Sequence, residues 1–210
     1  SMAEQSPLLA KAKFCTIYNG VDTHIFSPRE TETEKDMFTI VTMANKWFEN
    51  ENKIAREKVL DFLGEDGQML IIGCTPEQQK IYANDKRIKA IGYIKERTDL
   101  ATLYAQGDVF LNLTHIDTLP TVNMEALSCG TPVVTYDAGG SGELVKEGWT
   151  GYVAKIDDVS GLLDALHKIR DGKISRENCR IYAVENFDKT LNYYEYIKLY
   201  NMIMDKRREA

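Results

Sequence analysis

A chain of 210 residues, 43% hydrophobic and 28% charged, is of ordinary single-domain size and can bury a substantial core. Its net charge of −6 offers no global attraction to nucleic acid or to an anionic membrane surface, no apolar run reaches transmembrane length, and no signal peptide is visible. Cys15, Cys74, Cys129 and Cys179 are too scattered for a disulfide framework or zinc spacing, and His24, His115 and His167 too dispersed for a metal site, so the thiols read as reduced and mostly buried and no metal is expected.

Ser1-Met2 reads as a cloning scar. Phe14 to Tyr18 reads as an extended run, followed by an Asn19-Gly20 turn and an anchoring Phe26, together a linker and first edge element. FTIVTMANKW is the first core strand with its loop, and QMLIIG is the next strand, closed by Gly73; Thr75 and Gln78 then form a capping box around Pro76. IKAIGYI is a third strand, and Thr98 is placed as the cap of the helix DLATLYAQG, whose Leu100, Leu103 and Tyr104 lie at helical spacing. DVFLNL and PVVTY are short, β-branched and aromatic, as buried neighbouring parallel strands are. Between them Pro120 sits near a first helical turn, and Gly130 with Pro132 stops that helix. GWTGYVAK, a helix from about Asp157 to Arg170, and the helical stretches SRENCRIYAVENF and KTLNYYEYIKLYNMIMDKRR complete the chain, with Lys206-Arg207-Arg208 complementing the last helix dipole. This alternation, without internal repeats, specifies an α/β fold: one Rossmann-like domain with a parallel sheet of about six strands and helices on both faces.

Asp108 to Asp137 carries the chemistry. In a strand–helix–strand unit the unsatisfied N–H groups at the helix start face the carboxyl edge of the sheet and attract phosphate; here Leu119, Thr121, Val122 and Asn123 supply them. Asp117 lies just before that position and Glu125 about one turn inside it. A carboxylate beside an anion site can accept both hydrogen bonds of a vicinal diol, as on ribose or a sugar. The plainer readings stay open: Asp117 as a loop acid, Glu125 as a favourable charge near a helix start. Glu125 resists the plainer reading because Val122, Met124, Ala126 and Leu127 make its helix largely apolar, where an unpaired charge is costly. His115, two residues before Asp117, reads as a loop-packing residue ahead of a catalytic one.

The segment DTLPTVNMEALSCGTPVV resembles the donor-site signature EGFGLVxLEAMACGTPVV of retaining GT-B glycosyltransferases (glycosyltransferase group 1, family 4 type), with Asp117 and Glu125 in the two acidic places. IYNGVDTHIFSP is similar to the segment that enters the second domain of those enzymes. The resemblance implies a sugar transferase that moves a sugar from a nucleotide-diphospho-sugar, UDP- or GDP-linked, to an acceptor hydroxyl with retention, in polysaccharide, capsule or lipopolysaccharide synthesis, without a metal or other cofactor. It implies that Glu125 binds ribose, that the Leu119, Pro120, Thr121, Val122 and Asn123 backbone holds the diphosphate and sugar, and that Asp117 stands near the transferred sugar, both acids being assigned to the catalytic centre. Lys46 or Lys53 would grip the diphosphate, Lys53 ranking slightly ahead, although ANKWFENENK replaces the usual GRLxxxKG. Gly73, Tyr93 and Ile94 would line the base pocket, and Gly139-Gly140 with Glu143 resemble a GGxxE element opening the next helix. The chain is too short for the whole fold, so the resemblance implies an excised C-terminal donor-binding domain: linker and leading segment at 1–30, nucleotide-sugar domain at 31–187, and a helix at 188–210 directed toward an N-terminal domain that holds the acceptor. Such a fragment would be inactive alone and the full enzyme cytoplasmic, or peripheral at the inner face of the membrane. A nucleotide-sugar 2-epimerase-like enzyme on the same scaffold, or a non-catalytic nucleotide-sugar binding module, is the alternative.

Overall fold

The computed structural model describes residues 14–30, 37–172 and 174–208, with side chains up to 205; Ser1-Met2 and the side chains of Lys206-Arg207-Arg208 lie outside the described residues. Six strands, β1 (Phe38–Met43), β2 (Gly67–Ile72), β3 (Ile88–Ile91), β4 (Val109–Asn112), β5 (Val133–Tyr136) and β6 (Gly151–Ala154), form one sheet in the order β3-β2-β1-β4-β5-β6. Every pairing is parallel, as in Phe38↔Gly67, Ile40↔Val109, Phe110↔Val133 and Val133↔Gly151. The order reverses between β1 and β4, so the crossovers leave the sheet in opposite directions there and open a crevice at the carboxyl ends of those two strands.

Among the described residues the eight α-helices are α1 (Ala44–Trp47), α2 (Lys53–Leu63), α3 (Pro76–Ile81), α4 (Arg97–Gln106), α5 (Thr121–Ser128), α6 (Val159–Arg170), α7 (Arg176–Phe187) and α8 (Lys189–Arg208). Side chains alternate across each strand and feed two cores. Ile40, Met69, Ile71, Leu111 and Val134 meet Val59 and Leu63 of α2 and Leu162 and Leu166 of α6 on one face. Val41, Leu70, Ile72, Phe110 and Val133 meet Tyr104 of α4, Met124 and Leu127 of α5, and Ala183 and Phe187 of α7 on the other. Two covered faces explain why the strands read as continuous apolar runs.

The Thr75–Gln78 capping box forms in both directions, at 3.3 and 2.8 Å, with Pro76 opening α3. Thr98 does not cap α4: the helix begins two residues earlier than expected, at Arg97, with Glu96 at its N-cap, because the Glu96 carbonyl already accepts the N–H groups of Asp99 and Leu100. The leading segment is no edge strand of the sheet; Val21 makes only an isolated bridge to Asp188, while Val21 and Phe26 are buried against α7. Arg180 of α7 clamps this segment by donating to the Thr23, Phe26 and Ser128 carbonyls, the last at the C-terminal end of α5, where a cation complements the dipole. Nor does GGSGE open an α-helix: β5 and β6 are joined by one 3-10 turn, Gly142–Leu144, because Thr150 and the Lys146 carbonyl lock the following residues into a turn. All four cysteines are free and three are buried. No described helix is long and apolar enough to cross a membrane.

Candidate functional site

A pocket of about 210 Å³ opens at the crevice between β1 and β4, lined by Met43, Asn45, Lys46, Asn112, Asp117, Leu119, Pro120, Thr121 and Val122. Its position follows from the strand order, and its polarity follows from the start of α5. Pro120 occupies the N-cap of α5 with extended backbone and no side-chain cap, so nothing in the protein satisfies the first helical N–H groups through a cap. Of the four donors expected from the sequence, two are engaged: Leu119 N–H donates to Asp117 Oδ1 at 3.0 Å, and Asn123 N–H donates to the Pro120 carbonyl at 3.1 Å. Among the described residues the Thr121 and Val122 N–H groups have no partner, and they carry the positive end of the helix dipole to the pocket.

Asp117 therefore plays a structural part as well as lining the pocket. Its Oδ1 forms the turn that launches α5, while Oδ2 has no partner among the described residues. The loop is braced from the opposite side by the paired glycines. A Cβ on Gly139 would lie 1.9 Å from the Asp117 carbonyl oxygen and one on Gly140 would lie 2.2 Å from that of Thr118, so this close approach is to the Asp117 loop itself. Glu143 is exposed and receives a long contact, 3.5 Å, from the Tyr18 hydroxyl.

Glu125 does not line the pocket; Tyr104 links it to Met43, which does. The buried Tyr104 hydroxyl donates to Glu125 Oε2 at 3.2 Å and touches Met43 Sδ at 3.8 Å. Burial pushes the Glu125 carboxyl up to about 7, against smaller downward effects from the Tyr104 hydrogen bond and the Arg97 charge. Desolvation, together with the Glu125 charge, raises Tyr104 well above its ordinary value, so the phenol remains the donor.

Lys46, on α1, lines the pocket with its Nζ 3.0 Å from Glu49 Oε1. Lys53 does not. Although the sequence ranks Lys53 ahead, the turn 50–52 between the helices places it at the first position of α2 with its side chain in solvent, while Asn52 beside it turns inward to donate to the Lys46 and Leu113 carbonyls. Gly73 ends β2 with φ +86° and open space around its Cα, and Tyr93, 85% exposed, follows β3; Ile94 packs half-buried against the α4–α5 core. These three stand along the same carboxyl edge but outside the 210 Å³ pocket. His115 is turned away from it: Nε2 meets Asp157 Oδ1 at 2.9 Å, and its ring rests against Tyr136. It packs the loop, as the sequence favours. The described residues contain no cluster of three potential metal ligands.

Sequence reasoning missed Asn112, Asn45 and Tyr104. Asn112 carries a signal, a polar residue closing the apolar run VFLN at the strand's carboxyl end, but the hydrophobicity of that run masks it. Tyr104 reads only as a core residue in a helical stripe until the fold sets it against Glu125.

Among solved structures, the fold is similar to sucrose-phosphate synthase from Thermosynechococcus elongatus (TM-score 0.74, 19% identity, 90% of this chain and 52% of that one) and to Anabaena HepE solved with UDP-glucose (0.68, 19%, 89% and 57%). It is also similar to the C-terminal domain of a glycosyl transferase group 1 family protein from Francisella tularensis (0.59, 20%, 83% and 98%). By sequence the chain is 25% identical over 209 residues to N-acetyl-alpha-D-glucosaminyl L-malate synthase of Bacillus anthracis, covering 91% of this chain and 55% of the relative. It is 24% identical over 199 residues to UDP-Gal:alpha-D-GlcNAc-diphosphoundecaprenol alpha-1,3-galactosyltransferase of Escherichia coli, covering 84% and 51%. The chain thus spans about half the length of these curated relatives. Residues 48–186, which run from the end of α1 to the end of α7 and include the whole α5 site, match the family described as glycosyl transferases group 1. With a doubly wound parallel sheet and a helix-start pocket at its switch point, the chain belongs to the glycosyl transferases group 1 family.

Proposed function

We propose that this chain is the donor-binding domain of a retaining glycosyltransferase and holds a nucleotide-diphospho-sugar in the β1–β4 crevice. The observation that carries the reading is the meeting of two unpartnered helix-start N–H groups, Lys46 and Asp117 in one pocket, with Glu125 joined to its Met43 wall through the Tyr104 hydroxyl. The diphosphate lies on Thr121 and Val122 N–H and on Lys46, which offset the charge developing on the leaving nucleotide. Glu125 accepts the ribose hydroxyls, and the free Oδ2 of Asp117 faces the transferred sugar. Gly73, Tyr93 and Ile94 border the base. The Escherichia coli relative is named for a UDP-Gal donor, and HepE was solved with UDP-glucose, which supports a UDP-sugar first and a GDP-sugar second.

In the whole enzyme an acceptor hydroxyl held by another domain attacks the anomeric carbon, with configuration retained, in polysaccharide, capsule or lipopolysaccharide assembly. The chain alone binds donor without transferring it. α8 supplies the contact with that domain: Leu191, Tyr193, Tyr194, Ile197 and Tyr200 stand exposed along it, more apolar surface than a solvated helix ordinarily shows.

Calorimetric titration with UDP, GDP and ADP tests the site. One nucleotide is expected to bind saturably, and Glu125→Ala to weaken it by about 1.5–3 kcal/mol, the worth of a hydrogen bond to a charged group. Equal affinity in wild type and variant would remove Glu125 from the ribose; no binding of any nucleotide by the wild type would overturn the donor-site reading for this chain.

A further inference from the structure

Resting on that donor-site reading, we infer that Asn112 determines specificity for the intact sugar nucleotide over the free diphosphate, by presenting a carbonyl oxygen to the pocket. Asn112 closes β4, is 3% exposed and lines the pocket. Behind it runs a ring of buried side chains. Asn112 Nδ2 is 2.8 Å from Asn123 Oδ1, Asn123 Nδ2 is 3.1 Å from Ser141 Oγ, Ser141 Oγ is 2.7 Å from Thr135 Oγ1, and Thr135 Oγ1 is 3.1 Å from the Asn112 carbonyl oxygen.

The direction of this ring is set by its one backbone member. A carbonyl can only accept, and Thr135 has a single hydroxyl proton, whose two carbonyl neighbours, Asn112 and Tyr136, both require it as donor. Ser141 must then donate to Thr135 and is left to accept from the Asn123 amide nitrogen. Asn123 in turn offers Oδ1 to the Asn112 amide nitrogen. The Asn112 amide cannot flip without opposing two acceptors inside a buried network, which is costly. Its Oδ1, which accepts no hydrogen bond from the described residues, is the acceptor left for a ligand at the pocket wall.

A fixed carbonyl beside two N–H groups and a lysine divides the pocket chemically. It repels phosphate oxygens and accepts from a hydroxyl, so it recognises a part of the ligand that the free diphosphate lacks. Asn123 is thereby a positioning residue through its side chain, although the sequence assigns it to the site through its backbone.

The pairs UDP and UDP-glucose, GDP and GDP-mannose, and ADP and ADP-glucose, titrated calorimetrically into this chain, test the assignment in the pair that binds. Wild type is expected to hold the sugar nucleotide more tightly than the diphosphate. Asn112→Leu should lose about tenfold on the sugar nucleotide, consistent with one lost hydrogen bond, while the diphosphate, relieved of the carbonyl's repulsion, binds at least as tightly as to wild type. Because Asn112→Leu leaves Asn123 Oδ1 buried and unpaired, Asn112→Leu combined with Asn123→Leu removes both partners and keeps the test readable if the single variant unfolds. Equal losses on both ligands, no loss on either, or a wild type with no preference for the sugar nucleotide would overturn the role of Asn112 and leave the donor site standing. Absence of binding for every probe would overturn the donor site itself, and this assignment with it.

Discussion

Burial moves the Glu125 carboxyl from 4.5 to about 7. The folded state holds a proton that the unfolded state has released between those values, so folding is favoured at the acid end and loses about 3 kcal/mol as pH rises through the window. Glu125→Gln carries no such titration. In urea unfolding, the stability of Glu125→Gln relative to wild type should therefore grow by about 2–3 kcal/mol from pH 5 to pH 8; a gap independent of pH would contradict the burial argument. Ribose hydroxyls favour the ionised form, so nucleotide affinity measured against the same variant should rise by about tenfold between pH 6 and pH 8. Lys46 and Lys53 make a matched pair at this scale. Lys46→Ala is expected to weaken the bound diphosphate by about tenfold, whereas Lys53→Ala should leave it unchanged, as read by the same titration; the reverse order would restore the ranking drawn from the sequence.

At the scale of elements, the site depends on the Asp117 loop being pressed between the start of α5 and the Gly139-Gly140 turn. Gly140→Ala places a methyl 2.2 Å from the Thr118 carbonyl oxygen, against backbone that cannot rotate away. It should cost about 1–3 kcal/mol of stability and displace the loop enough to abolish nucleotide binding. Gly148→Ala is the control. Its φ of +71° makes alanine strained by about 1–2 kcal/mol, but nothing lies within 4 Å and the turn is far from the pocket, so binding should be retained. Calorimetry and thermal melting on the two variants separate loop displacement from general destabilisation. The elements themselves were legible from period and punctuation: six apolar runs became six strands, and the Thr75–Gln78 box and the stop at Gly130 stand as read. Thr98 and the GGSGE segment were not, because each was assigned by a local signal that a neighbouring backbone hydrogen bond outcompetes.

Among the described residues, the last helix is the part of the molecule least bound to the rest. Phe187 and Asn192 anchor the chain at the α7–α8 junction, but from Tyr193 to Asp205 every residue except Leu199 is exposed. Removal of residues 193–210 should therefore lower Tm by no more than about 4 °C, the equivalent of about 1 kcal/mol in a domain of this size; a larger drop would mean that α8 stabilises this domain directly instead of serving a partner domain.

The class of fold, the strand–helix order and the neighbourhood of the site are legible along the chain, because apolar periodicity, turn residues and the Asp117-to-Val134 segment are local properties. The sequence also brings Asp117, Thr121 and Val122 to one helix start, since they lie within a few residues of it. Tertiary structure alone decided which lysine enters the pocket, that Tyr104 would donate to Glu125, and that Asn112, Asn123, Ser141 and Thr135 would close a ring. Each of these joins residues from different elements, and their meeting depends on strand order and helix rotation around the switch point, which no spacing along the chain encodes.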